Sequence, residues 1–319
     1  MFKSLMQSRA VRRLLYALLL VVGAVGLSGC AAFQPVFSGA EGKIKVTATI
    51  GMITDIVRNV GGDQVEAIGL MKAGVDPHLY KATKGDIDKL TEADIVFYNG
   101  LHLEGKMASI LEKLSEKKVT VAVSRNIDKA VLRDMDDGSG AYDPHIWFDV
   151  RNWISATETV RDELIKLDGA HADLYRANAA SYLKQLQQLH EETKVKIASI
   201  PEKSRILVTA HDAFGYFGAA YGIRVSGLQG MSTASEAGLK NVSTLRDFLV
   251  DNQIKAVFVE SSVPKKTIQA VVDGAKEKGH EVKVGGELFS DAMGQEGTPE
   301  GTYVGMVRHN VDTIVNALK

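Results

Sequence analysis

The chain has 319 residues, with 38 lysines and arginines against 39 aspartates and glutamates, a formal charge of −1. That balance gives no general electrostatic pull on nucleic acid or anionic lipid, so no nucleic-acid partner is expected. A single cysteine, Cys30, excludes an internal disulfide and any multi-cysteine metal site, which leaves histidine and carboxylate to build any site for a transition metal.

The first element is a leader. Lys3, Arg9, Arg12 and Arg13 form a positive segment, followed by an uncharged, mostly apolar run over residues 14–27. That run is shorter than the roughly 20 residues a membrane-spanning helix needs, and it suits the apolar region of a secretory signal. It ends in Leu27-Ser28-Gly29-Cys30, which resembles the bacterial lipobox, in which the cysteine is acylated and becomes the first residue of the mature protein. Residues 1–29 are therefore expected to be a lipoprotein signal peptide and Cys30 the lipidation site. The protein is then exported and anchored by lipid to a bacterial membrane, facing the periplasm or the cell exterior. A plain N-terminal anchor and a buried structural cysteine are the alternatives. Cleavage leaves 290 residues, enough for one large domain or two lobes. It also removes four bases and no acid, which moves the formal charge from −1 to −5.

Residues 30–42 contain Pro, Ser and Gly without periodicity and read as a tether. A strand is predicted over 43–50, a helix over 53–60 and a second strand over 65–70. An apolar strand follows over 95–99, then a helix over 107–114 and a strand over 119–123. Strands alternating with helices predict an α/β lobe with a mostly parallel sheet over 43–168. Residues 173–199 hold neither Gly nor Pro, and Leu174, Leu183, Leu186, Leu189 and Ile197 form a stripe. They predict one helix of about 40 Å at 1.5 Å per residue, stopped by Pro201. The rhythm then resumes, with strands over 205–209, 254–259 and 282–284 and helices over 242–250, 266–278 and 303–318. The expected fold is α/β: two mostly parallel-sheet lobes, the second over 201–319, joined by one long rigid helix over 169–200. A single larger fold containing that helix is the alternative.

Asp76-Pro77-His78-Leu79-Tyr80 and Asp143-Pro144-His145-Ile146-Trp147 are one motif written twice. Proline fixes the backbone just ahead of each histidine. The aspartate can cap a turn or accept a hydrogen bond from the ring's other nitrogen, which fixes the tautomer and raises ligand basicity. A lone loop histidine is usually just surface; the repetition marks His78 and His145 as ligand candidates. His211 directly follows the strand RILVT, and open α/β sheets place ligand groups at the carboxyl ends of strands. Asp291, in LFSDAM after the last strand, is the fourth candidate, although by itself it is only a loop aspartate. Three imidazoles and a carboxylate suit one divalent transition metal, Zn2+ or Mn2+, with Fe2+ a further option. His78 and His145 fall in the first lobe, His211 and Asp291 in the second, so a shared metal would join the lobes. Asp76, Asp143, Glu236 and Glu260 are candidates to stand behind the ligands; Glu260 ends the strand VFVE facing the same crevice. His102 reads as a helix start or a residue behind the ligands. His171, His190, His280 and His309 read as surface. The glycines of GGELFSDAMG predict a flexible loop around Asp291.

From about Lys43 to the C-terminus the chain resembles the cluster A-I solute-binding proteins, the metal receptors of bacterial zinc and manganese ABC importers. The marks are GMITDIVRNVGGD, DPHLY, NGLHLEG, DPHIWFD, HADLYRANAASYL, VTAHDAFGYF, GLQGMSTASEAG, VFVESSV and LFSDAMG. The resemblance implies two α/β lobes bridged by a rigid helix, with the metal buried at their interface. It implies His78, His145, His211 and Asp291 as ligands. The function it implies is high-affinity extracytoplasmic capture of the metal, by a monomer, for an importer permease and its ATPase. Zinc-dedicated members often carry a long His- and acid-rich loop between the first two ligand histidines. Here RDMDDGSGAYDP before His145 is short, acidic and free of histidine. Manganese-dedicated members usually have glutamate where this chain has His211. A metal-dependent hydrolase is the enzyme alternative, but it needs an open position for water and a nearby base, and no HExxH is present. A structural-zinc adhesion protein is the third reading.

Overall fold

The computed structural model describes residues 37–39, 42–135, 140–235 and 238–319; the leader, Cys30 and Glu236 lie outside the described residues. In the first lobe, β1 (Ile44–Ala48), β2 (Val65–Gly69), β3 (Ile95–Tyr98) and β4 (Thr120–Ala122) form a parallel sheet in the order β2-β1-β3-β4. Val46 of β1 stands between Ala67 and Ile95. Ile44, Val46 and Ala48 on one face and Thr47 on the other are buried, as expected of the inner strand of a parallel sheet. Three helices accompany the sheet: α1 (Gly51–Gly61), α2 (Lys84–Glu92) and α3 (Ala108–Ser115). The sequence reading omits α2, whose start is nonetheless written in Thr83-Lys84-Gly85-Asp86. Thr83 Oγ1 accepts from the Asp86 N–H at 3.3 Å, and Asp86 Oδ2 accepts from the Thr83 N–H at 3.0 Å, a reciprocal cap.

The connection between the lobes is a pair of long helices rather than one. α4 (Val150–Leu167) packs along α5 (Ala172–Ala198). α4 escapes the sequence reading for a physical reason. Its buried face carries Trp153, Ala156, Val160 and Leu164, but also Asn152, Thr157, Thr159 and Glu163, and these polar insertions blur the apolar period. α5 has 27 residues and therefore runs about 40 Å, the expected length, but on a shifted stripe. Tyr175, Ala179, Tyr182, Leu186, Leu189, Thr193 and Ile197 are buried, whereas Leu174 is 39% exposed. Tyrosine can take the inner face because its hydroxyl finds a carboxylate: Tyr175 donates to Asp168 at 2.7 Å and Tyr182 to Asp55 of α1 at 2.8 Å.

The second lobe contains β5 (Ile206–His211), β6 (Arg224–Gln229), β7 (Ala256–Glu260) and β8 (Lys283–Leu288), with α6 (Gly215–Tyr221), α7 (Leu239–Asp251), α8 (Lys265–Glu277) and α9 (Tyr303–Leu318). β6 and α6 are further elements the sequence reading omits. β5 pairs with β6 and β7 with β8, both in parallel, and β5 lies beside β7. Along β7 the side chains alternate between two cores. Val257 and Val259 pack with Val208, Leu249 and Ile268 in a core private to this lobe. Ala256 and Phe258 join a larger core that runs from Ile44 of β1 through Trp153 and Leu186 to Leu288 and Met306. A continuous apolar core across both lobes opposes their swinging apart as free bodies. Among the described residues no helix is long and apolar enough to cross a membrane.

Candidate metal centre

Four side chains from four segments meet between the lobes. His211 is the last residue of β5 and Asp291 follows shortly after β8. His145 caps the single turn Ile146–Phe148, and His78 lies in the loop between β2 and α2. His78 is 4% exposed, Asp291 1%, and His145 and His211 fully buried. One donor atom from each lies within 4.8 Å of all the others. His78 Nε2 is 3.3 Å from His145 Nε2. His211 Nε2 is 3.2 Å from Asp291 Oδ2, which is 3.7 Å from His78 Nε2, and His145 Nε2 is 3.4 Å from Asp291 Oδ1. A tetrahedron of ligands about 2.05 Å from a zinc ion has edges of about 3.3 Å, so the donors already stand near the spacing a metal would impose. Although His211 Nε2 is close to Asp291, the two are not aligned as a hydrogen bond; His211 Nε2 and both Asp291 carboxylate oxygens are buried without a partner among the described residues. Buried polar atoms are rarely left so, and three orphans facing one point fit a cation there.

The ZnuA family model, described as the periplasmic component A of a zinc-uptake complex, matches residues 46–317. This chain belongs to that family. It is 52% identical over 293 residues to the manganese-binding lipoprotein MntA of Bacillus subtilis (strain 168), covering 92% of this chain and 95% of that protein. It is 47% identical over 287 residues to the zinc-binding protein TroA of Treponema pallidum (strain Nichols), covering 90% and 92%. The solved structure of the periplasmic zinc-binding TroA from Treponema pallidum matches with a TM-score of 0.85 at 47% identity, covering 86% of this chain and 99% of that one. The family consists of transport receptors, not enzymes, which sets the hydrolase reading aside.

Behind the donors, two of the rings are oriented by carboxylates. Asp143 Oδ1 accepts from the His145 backbone N–H at 2.9 Å and lies 2.7 Å from its Nδ1. Glu260, the last residue of β7, does the same for His211, 2.9 Å from its backbone nitrogen and 2.5 Å from its Nδ1. Each carboxylate keeps a proton on Nδ1 and turns Nε2 toward the centre. Asp76 behaves differently. It accepts from the His78 backbone N–H at 2.8 Å and from the Thr233 hydroxyl of the second lobe at 2.6 Å, so it shapes the turn. Burial pulls the His78 pKa down to about 4, against the pull of Asp291. For His211 burial also acts downward, but Glu260 and Asp291 outweigh it and hold the ring well above its ordinary value. Burial raises Asp291, but His211, then His145 and His78, outweigh that and hold it below the usual carboxylate range. A ligating imidazole must be free of a proton at Nε2, so a dication and protons compete for this site.

Several positions that build the site carry no ligand signature. Asn99, just after β3, donates to the Pro144 carbonyl at 2.9 Å, and Tyr216 of α6 donates to the Asp143 carbonyl at 2.9 Å. Gly227 on β6 lets the His211–Asp212 backbone pass: a Cβ there would stand 2.5 Å from the Asp212 nitrogen. The glycines before Asp291 are not loop residues, because Gly285 and Gly286 lie inside β8. The loop itself is pinned, with Phe289 bonded to the Asn310 amide through both its N–H and its C=O at 2.9 and 2.7 Å. His102 sits exposed in a left-handed turn with φ of 63°, outside the cluster. His171 is exposed and beside Asp168, as a surface residue should be. His190, His280 and His309 are instead partly buried, bonded to the Tyr221 hydroxyl, the Ile254 carbonyl and the Glu287 carbonyl. Each closes a local polar contact that a helical charge pattern does not reveal.

Proposed function

We propose that this chain captures one divalent transition metal outside the cytoplasm through His78, His145, His211 and Asp291 and delivers it to an ABC importer, its permease and ATPase. The observation that carries this reading is the convergence of four buried donor side chains from both lobes at metal-tetrahedron spacing, with the second-lobe donor atoms of His211 and Asp291 unpartnered among the described residues. In this reading Asp143 and Glu260 keep their rings in the binding tautomer, and Asp76 holds the His78 turn. The chain is then organised as leader 1–29, tether 30–42, lobe 43–168, linking segment 169–200 and lobe 201–319, and acts as a monomer. The shared core favours rearrangement of ligand loops over a wide hinge motion. Zn2+ and Mn2+ both fit, and Fe2+ is compatible with the donor set. The relatives divide in the same way, one described as manganese-binding and one as zinc-binding. Zinc outcompetes manganese at such a site on affinity alone, so cargo is decided by transport. A strain lacking this gene should grow poorly under metal starvation and recover with excess of one ion, which names the cargo. Unchanged zinc and manganese accumulation, with no second receptor present, would reject the transport role.

Anchoring rests on the lipobox-like Leu27-Ser28-Gly29-Cys30 and on a lipoprotein relative. Mature protein should begin at an acylated Cys30, and Cys30→Ser should stop acylation and release or mislocalise the protein. Mass spectrometry of the purified N-terminus reads this; a free thiol at Cys30, or retention of residues 1–29, refutes the anchor.

A further inference from the structure

Trp147 is fully buried and joins the two lobes beside the metal centre. It lies two residues beyond His145, and its ring meets the His145 ring edge-on, with centroids 5.3 Å apart and planes at 72°. Its carbonyl accepts from the Tyr303 hydroxyl, at the start of α9, at 2.6 Å. Its indole N–H donates to the Ser290 carbonyl at 3.0 Å, one residue before Asp291. From within its own lobe, Phe289 is held by Asn310 and the Ser290 hydroxyl lies 3.0 Å from that of Ser262. Trp147 supplies the anchor from the opposite lobe. One side chain therefore fixes the spacing between a donor of the first lobe and the carboxylate of the second.

We propose that Trp147 is a positioning residue for metal capture, whose indole N–H holds Asp291 at binding distance from His145 before the metal arrives. This rests on the metal-receptor reading above. The Asp291 carboxylate has no hydrogen-bond partner among the described residues, so its placement is inherited from the backbone around it. Holding a donor in place beforehand removes an ordering cost from binding and resists loss of the ligand once bound. Without the N–H, the Ser290 carbonyl is left buried and unsatisfied. The loop then relaxes toward another donor and carries the carboxylate with it. The three imidazoles are untouched, so the loss falls on residence time more than on capture rate.

The test is to replace the indole of Trp147 alone with benzothiophene, by site-specific incorporation of β-(3-benzothienyl)alanine. Sulfur then stands where the N–H stood and the shape is kept; Trp147→Phe is the second variant. Zn2+ dissociation is followed by chelator competition, and the visible absorption of the Co2+-loaded protein reports the coordination shell. Loss of the N–H should speed Zn2+ dissociation about tenfold and change the Co2+ band, with little effect on association. Dissociation and Co2+ band equal to wild type would overturn the proposal, even if the metal-free protein melted at a lower temperature, because that pattern marks a purely structural bond. Wild-type protein that takes up neither ion would sink the metal-receptor reading itself, a result distinct from normal uptake that ignores the isostere.

Discussion

Metal at a thousandfold excess over its dissociation constant should stabilise the wild-type protein by about 4 kcal/mol, and His78→Ala or Asp291→Ala should each erase most of that gain. The stabilisation arises because the ion binds the folded chain and has no comparable site on the unfolded one. Both variants should still fold without metal, for different reasons. His78 lies in a loop whose turn is held by its own backbone N–H on Asp76, a bond that alanine keeps. Asp291 lies in a loop whose backbone is held by Asn310 at Phe289 and by Trp147 at Ser290, bonds that alanine keeps. Asp291→Ala should therefore fold without metal, although it loses the favourable pull between this carboxylate and the surrounding imidazoles. Scanning calorimetry with and without Zn2+ or Mn2+ separates the two states. If either variant retained the full wild-type shift, the ion would not be bridging the lobes through these donors.

The parts of the site that sequence makes legible are those with a local pattern. The doubled Asp-Pro-His motif draws attention to His78 and His145 without a structure, and the end of an apolar strand does the same for His211. Asp291 is legible only through the family resemblance, since nothing around a loop aspartate distinguishes it. What stays hidden depends on distant partners. The bond from Trp147 to Ser290 spans 143 positions, and no local period announces it. Gly227 is required only because the His211 turn passes against it. For the fold, the alternation of strands and helices reveals two α/β lobes, and the absence of Gly and Pro reveals α5. α4 is lost because buried Asn152, Thr157, Thr159 and Glu163 interrupt its apolar face. The stripe on α5 shifts because Tyr175 and Tyr182 find buried carboxylates, which a reading based on leucines does not weigh.

His211→Glu (H211E) should move the metal preference toward manganese, and it should also make the fold depend on metal. A carboxylate in place of imidazole hardens the donor set, which lowers the advantage of zinc. The surroundings set the second effect. His211 Nδ1 lies 2.5 Å from Glu260 and Nε2 lies 3.2 Å from Asp291, and all three side chains are fully buried. The imidazole sits between two acids and carries no negative charge of its own, and its Nδ1–H can donate to Glu260. A third carboxylate at that point faces like charges on both sides in a dry site, and without a cation this should cost about 3 kcal/mol or more. A dication relieves the repulsion, so H211E should melt well below wild type when stripped of metal and recover much of the difference when loaded. Adding Glu260→Gln removes one charge and supplies an amide donor toward the new carboxylate, while the amide oxygen can still accept from the backbone N–H of residue 211. H211E with E260Q should therefore regain metal-free stability and keep the altered preference. Competitive Zn2+ and Mn2+ titrations, with melting measured in both states, should show the zinc-to-manganese affinity ratio falling at least about tenfold in both H211E proteins. A ratio equal to wild type would remove the donor at position 211 as the determinant of preference. Equal metal-free stability of H211E and wild type would mean that Glu260 and Asp291 do not confront that donor as their buried positions require.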